Sequence, residues 1–200
     1  TNNDIINNTG RSGIAVDGNH NVAPSGLRIP SISGNRFESN LTGANLGPFA
    51  FTGGTIAENT FNLNAFDGLQ GGIQNSSITQ NTFSNNGRWG LNLTPITPDP
   101  TDATKGAFNN AVSENFFFGN TTGDIVLSDG QATGTIGTNA IHGNSILSAV
   151  GVSYRGDEII DAGQNWWGSN TQAGIVSKHQ TFNNERQWFG IKNGVTGTFT

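Results

Sequence analysis

The motif N-x-Φ-x-x-N, with Φ a large apolar residue, recurs seven times in this chain and leaves few folds open to it. It stands at Asn3-Ile5-Asn8, Asn35-Phe37-Asn40, Asn59-Phe61-Asn64 and Asn81-Phe83-Asn86, then at Asn115-Phe117-Asn120, Asn139-Ile141-Asn144 and Asn165-Trp167-Asn170. In five of the seven units an aliphatic residue precedes the first Asn by three positions: Ile32, Ile56, Ile78, Val112 and Ile136. Several units are followed by a Gly leading into alternating apolar residues, as in Gly13-Ile14-Ala15-Val16, Gly90-Leu91-Asn92-Leu93, Gly123-Asp124-Ile125-Val126-Leu127 and Gly151-Val152-Ser153-Tyr154. Alternation of period two means strand. Several short strands per unit, bounded by Asn or Gly and with no helix-length segment, fit one turn of a parallel β-helix. Each coil of such a solenoid pairs with its neighbours at about 4.8 Å. Φ then points inward and stacks. Asn35, Asn59, Asn81, Asn115, Asn139 and Asn165 are expected to form a structural ladder, left-handed at a common corner and bonded from coil to coil. A β-sandwich would not repeat one motif coil after coil.

Composition agrees. The 200 residues fit one domain, with 33% hydrophobic, only 12% charged and 29 Gly, which excludes an all-helical fold. The net charge of −5 argues against nucleic acid and anionic membrane surfaces, which call for a basic patch. No apolar run is long enough to span a bilayer, so no membrane insertion is expected. Cysteine and methionine are absent, and His20, His142 and His179 are far apart, so no metal site and no cofactor are expected. Two intervals break the repeat. One contains Thr94-Pro95-Ile96-Thr97-Pro98-Asp99-Pro100-Thr101-Asp102, whose prolines cannot continue a central strand. The other contains Gly18-Asn19-His20-Asn21-Val22-Ala23-Pro24. Both are expected to be excursions from the coil. The repeat is expected over 1–175. Residues 176–200, with Gln187–Ile191 and Gly194–Thr200 strand-like, are expected to form a cap or an assembly segment.

The Ile-x-x-Asn-x-Phe-x-x-Asn coils, finishing in Asn165-Trp166-Trp167-Gly168, resemble the right-handed parallel β-helix repeat proteins of the pectate-lyase-like superfamily, in texture its NosD-like and bacterial surface-protein branch. The F-x-x-N units also resemble those of chlamydial-type surface autotransporters. The resemblance implies an all-β, single-stranded right-handed parallel β-helix of about seven to eight coils. It covers enzymes, adhesins and inert stalks alike, so it is weak for function.

Lyases of this superfamily use clustered carboxylates for calcium with a basic residue, and its hydrolases use close pairs of Asp. The 14 acidic residues here are scattered. Arg155, Asp157, Glu158 and Asp161 are the weak candidates for a catalytic or carboxylate site, set against an ordinary solvated turn. Alternation places the residues flanking Φ outward. Before Φ these read Asp4, Arg36, Thr60, Thr82, Phe116, Ala140 and Trp166. After it they read Ile6, Glu38, Asn62, Ser84, Phe118, His142 and Gly168. Phe116, Phe118 and Trp166 are therefore candidate binding residues, the alternative being cover by another part of the chain. The expectation is a non-enzymatic structural or adhesive module, extracellular or at the bacterial cell surface. Its partner would be another copy stacked head to tail or the rest of a longer β-helix, with polysaccharide as a further candidate. The alternative is a carbohydrate-active enzyme or polysaccharide-binding domain.

Overall fold

The computed structural model describes residues 2–16, 31–47, 51–93, 107–128, 139–155 and 160–181. The first two coils supply β1 (Asp4–Ile6), β2 (Ile14–Val16), β3 (Ser31–Ser33), β4 (Arg36–Glu38), β5 (Ala44–Leu46) and β6 (Thr55–Ala57). The next two supply β7 (Thr60–Asn62), β8 (Leu69–Gly71), β9 (Ser77–Thr79), β10 (Thr82–Ser84), β11 (Trp89–Leu93) and β12 (Ala111–Ser113). Then come β13 (Phe116–Phe118), β14 (Gly123–Ser128), β15 (Ala140–His142), β16 (Ser145–Ile146), β17 (Val152–Arg155), a short helix α1 (Gln172–Val176) and β18 (His179–Thr181). Each strand pairs in parallel with the strand one coil on. Sheet A runs β1-β4-β7-β10-β13-β16, sheet B runs β2-β5-β8-β11-β14-β17-β18, and sheet C runs β3-β6-β9-β12-β15. This is a single-stranded right-handed parallel β-helix. Isolated bridges Ala140↔Asp161 and Ser145↔Trp166 carry sheets C and A one coil further.

Inside, the repeated Φ residues form a column. Phe37, Phe61, Phe83 and Phe117 are fully buried, and successive rings lie 4.8, 4.9 and 4.8 Å apart with planes within 7° of parallel. That separation is the coil spacing and exceeds face-to-face contact, so the rings are offset, which their quadrupoles favour. Ile32, Ile56, Ile78, Val112 and Ile141 line sheet C's inner side, and Leu69, Leu91, Ile125 and Val152 line that of sheet B.

The corners explain why the unit is Asn-strand-Asn. Each corner is a residue at positive φ followed by a ladder residue. Glu58 (58°), Gln80 (56°) and Glu114 (57°) precede Asn59, Asn81 and Asn115, while Ser39 (55°), Leu63 (54°) and Asn85 (52°) precede Asn40, Asn64 and Asn86. The left-handed conformation expected of the ladder asparagines thus belongs to the residue before them. The reason is geometric: the left-handed residue turns the chain outward and leaves the next side chain pointing in, where its amide reaches the neighbouring coil.

Three columns of such bonds run along the axis. In the first, the backbone N–H and side-chain amide of Asn35 donate to Asn59 Oδ1, those of Asn59 to Asn81, those of Asn81 to Asn115, those of Asn115 to Asn144 and those of Asn144 to Asn165, all at 2.9–3.1 Å. The second is Asn8, Asn40, Asn64, Asn86 and Asn120, ending on Ser148. The third joins Ser76, Asn110 and Asn139. Asn139 therefore stands in a different column from Asn115, and the unit at Asn139–Asn144 is the successor of Asn110–Asn115. Val112 pairs with Ile141, and Phe117 with Ile146. Ala140 and His142 consequently belong to sheet C, and Ser145 and Leu147 take the outward places on sheet A.

Beyond residue 175 one more strand joins sheet B. β18 pairs with β17 through Val152↔His179, Ser153↔Gln180 and Tyr154↔Thr181. Between them, α1 has its Thr171 hydroxyl accepting from the Gly174 N–H and sends Ile175 into the core. Ile136, the proline-rich 94–102 stretch, the 18–24 stretch and the strands expected at 187–191 and 194–200 lie outside the described residues. The intervals between β2 and β3, β11 and β12, and β14 and β15 all connect sheet B to sheet C, so the coils differ in length mainly at one edge of the prism.

Candidate functional face

Sheet A presents two outward columns, and their character changes along the axis. In the early coils, Arg36 pairs with Glu38 at 2.8 Å and approaches Asp4 at 3.9 Å. Arg36 and Asp4 are exposed and Glu38 is half-buried at the surface, so the pairs contribute little, about 0–1 kcal/mol. Thr60 and Thr82 follow in one column and Asn62 and Ser84 in the other, where the Ser84 hydroxyl and the Asn85 amide both donate to Asn62 Oδ1. The later coils are apolar. Phe116 is 43% exposed and Trp166 is 52% exposed, with Ser145 between them in the same column. Phe118 and Leu147 are half-buried in the other column, and the Phe116 and Phe118 rings meet at 5.2 Å and 47°. The structure thus brings the three candidate binding residues onto one face and leaves Phe116 and Trp166 open. Leu147 joins them because Ile146, and not Ile141, follows Phe117 in the inward column of sheet A.

Of the weak catalytic candidates, Arg155 and Asp161 fall among the described residues and stand on different sheets. Arg155 ends a sheet B strand and pairs with Ser128, whereas Asp161 bridges to Ala140 on sheet C, exposed, with its carboxylate 3.3 Å from His142 Nε2. Asp157 and Glu158 lie outside the described residues. Among the described residues no group of three or more His, Cys, Asp or Glu could hold a metal ion, and no helix is long and apolar enough to cross a membrane.

Among the described residues two carboxylates, Asp67 and Asp124, are fully buried, and both serve the sheet A–sheet B corner. Asp67 accepts from the Trp89 N–H at 3.1 Å and the Asn92 amide at 3.0 Å, with Arg88 Nε 3.9 Å away. Burial pushes its carboxyl up from the ordinary value, against the lowering by those bonds and by Arg88. Asp124 occupies a place where earlier coils have glycine: an added Cβ on Gly43 would lie 2.3 Å from the Gly68 carbonyl oxygen, and one on Gly90 would lie 2.9 Å from the Asn120 amide. Asp124 fits because the ladder stops there. Its Oδ1 accepts from the Asn120 amide at 2.8 Å and its Oδ2 from the Ser148 N–H at 2.9 Å, replacing the asparagine that Ser148 is not. Lys178 closes the same corner by donating to the Leu147 and Ser148 carbonyls. Burial again raises the Asp124 carboxyl, opposed by the Ser148 and Asn120 bonds and by Lys178. His179 lies edge-on to Trp167 at 4.7 Å, and burial lowers its imidazole to about 4. These titratable groups hold a corner and a coil end.

Fold and face together define a parallel β-helix solenoid with a graded outer sheet. Comparison of the chain with protein-family models, with curated proteins and with solved structures finds no match.

Proposed function

We propose that this chain is a non-enzymatic extracellular β-helix module of a bacterial surface protein or fibre: a rigid segment that carries and presents its outer face. The observation that supports this reading is where the buried polar groups go. Asparagine amides in the interior run from coil to coil along the axis in ladders, beside an uninterrupted stack of four Phe rings. A buried amide that is fully bonded rigidifies its surroundings. This arrangement stiffens a rod, and it leaves the outer columns free to vary. The first described coil shares the chemistry of an interior one. Ile5, Ile14 and Val16 pack on the core while remaining half-buried, and Asn3 and Asn8 are exposed. A further coil of the same pattern, from another copy or from more of the same solenoid, is the partner that suits this end.

The experiment is a depolymerisation screen over soluble polysaccharides, with and without calcium, alongside sedimentation across a concentration series. Reducing ends should stay at background. Turnover that Arg155→Ala or Asp161→Ala abolishes would overturn the reading in favour of a carbohydrate-active enzyme. Growth of the particles with concentration, reversed by removal of residues 194–200, would assign the neighbouring coil to a second copy.

A further inference from the structure

We propose that the aromatic half of sheet A's outer face binds a neutral, extended β-1,4-linked glycan laid along the helix axis. This rests on the reading of the chain as a presenting module and names what it holds. The first argument is register. Phe116, Ser145 and Trp166 succeed one another in a single outward column, so the two exposed rings are two coil spacings apart, roughly 10 Å. An extended β-1,4-linked chain advances by about one coil spacing per sugar and turns the same face to one side at every second sugar. Alternate sugars therefore fall over Phe116 and Trp166, with Ser145 beneath the one between. The slightly positive C–H groups on the flat apolar face of such a sugar sit against the negative face of an aromatic ring, as ring edges do, and bury apolar surface there.

The second argument is size. The strands of sheet A are three residues wide or less, about 10 Å, and the apolar stretch covers the coils of β13, β16 and Trp166. That strip falls far short of the ~800 Å² that each partner brings to a stable protein interface. It is the footprint of a slender polymer. On the rims beside these rings Gly119, Gly143 and Gly168, each at positive φ, carry no side chain, while Glu114 and Gln164 are the exposed corner residues. The third argument is charge. Among the described residues no ionisable side chain stands on the aromatic coils of sheet A; Glu114 is exposed on one rim, and Lys178 on the other has its ammonium engaged by the Leu147 and Ser148 carbonyls, so no excess of positive charge favours an acidic glycan. Beyond Phe116, Thr82 and Thr60 continue the column with hydroxyl groups for the next sugars.

The test is calorimetric titration of the full chain with cellohexaose, with hexagalacturonate as the acidic probe and reducing ends followed in the same samples. Cellohexaose should bind, and Phe116→Ala and Trp166→Ala should each weaken it about tenfold while the β-type circular dichroism stays unchanged. Hexagalacturonate should bind much more weakly. Three results would each overturn the proposal: no cellohexaose binding at millimolar concentration, undiminished binding by the double variant, or equal affinity for the acidic probe. Self-association that the double variant abolishes would also overturn it, giving the face to a second copy. Cleavage of either probe would sink the non-enzymatic reading instead, whereas failure to bind leaves that reading standing.

Discussion

The two sides of sheet A follow different rules. Inward, the middle coils carry Phe37, Phe61, Phe83 and Phe117, identical from coil to coil and fully buried, with Ile5 before them and Ile146 and Trp167 after. Outward, on the same strands, it passes from Arg36 and Glu38 through Thr60, Asn62, Thr82 and Ser84 to Phe116 and Phe118. The inner side must satisfy the coil above and the coil below at once, so one residue type that fits itself is repeated. The outer side touches its neighbours loosely and is free to differ. Stability is therefore carried by the repeated column, and whatever distinguishes this solenoid is carried by the varied one.

Several substitutions would break or sharpen that contrast. The largest effect is expected inside. Phe83→Ala removes a ring stacked on both sides and should lower the unfolding free energy by about 3–5 kcal/mol. Phe116→Ala, on the exposed face, should stay within about 0.5 kcal/mol. Chemical denaturation of both variants checks this, and similar losses would dissolve the distinction between the two sides. Next come the ladders. Asn81→Ala and Asn115→Ala each strip buried partners of hydrogen bonds and should cost about 1–3 kcal/mol. Asn62→Ala, half-buried and outward, should cost less, and equal melting temperatures for all three would contradict the ladder's structural role.

The third test uses pH. Asp67 and Asp124 titrate higher in the folded chain than their ordinary 3.8, so the folded state binds more protons above that value. Their contribution is fully present below 3.8 and is lost as pH rises through their raised values. His179 acts the other way: with its folded value near 4, its contribution is present above 6.5 and disappears as pH falls toward 4. Melting curves against pH should show His179→Gln reducing the loss between 6.5 and 4, and Asp67→Asn removing part of the gain on acidification. An unchanged pH profile in both variants would remove these corners from the account. The smallest effect concerns Leu63, half-exposed at φ 54° where the same corner elsewhere uses Asn85 or Gly119. Leu63→Gly relieves a left-handed strain of about 1–2 kcal/mol against an entropic cost of about 0.5–1 kcal/mol, so a slight rise in melting temperature is expected.

Much of this was legible in the chain because the repeat is local. Alternation across three residues says that Phe117 is buried and Phe116 is not, and the spacing of Asn35 to Asn40 contains a whole strand and both its corners. The solenoid, the inward Φ column and the outward aromatics follow from such short-range pattern. Coil-to-coil register does not. Each coil holds two or three similar corners about five residues apart, so sliding by one corner keeps every local rule intact. Asn139 could follow Asn115 or Asn110, and only the bond from Asn110 to Asn139 chooses. That choice moves His142 to sheet C and puts Leu147 beside Phe118. Likewise Asp124 reads as one more acidic residue in a strand. Its part in ending a ladder exists only because Asn120 and Ser148, four and twenty-four residues away, meet its two oxygens in space. A side chain's direction is set by its own strand, but its partner is set by the fit of neighbouring coils, and that fit belongs to the tertiary structure.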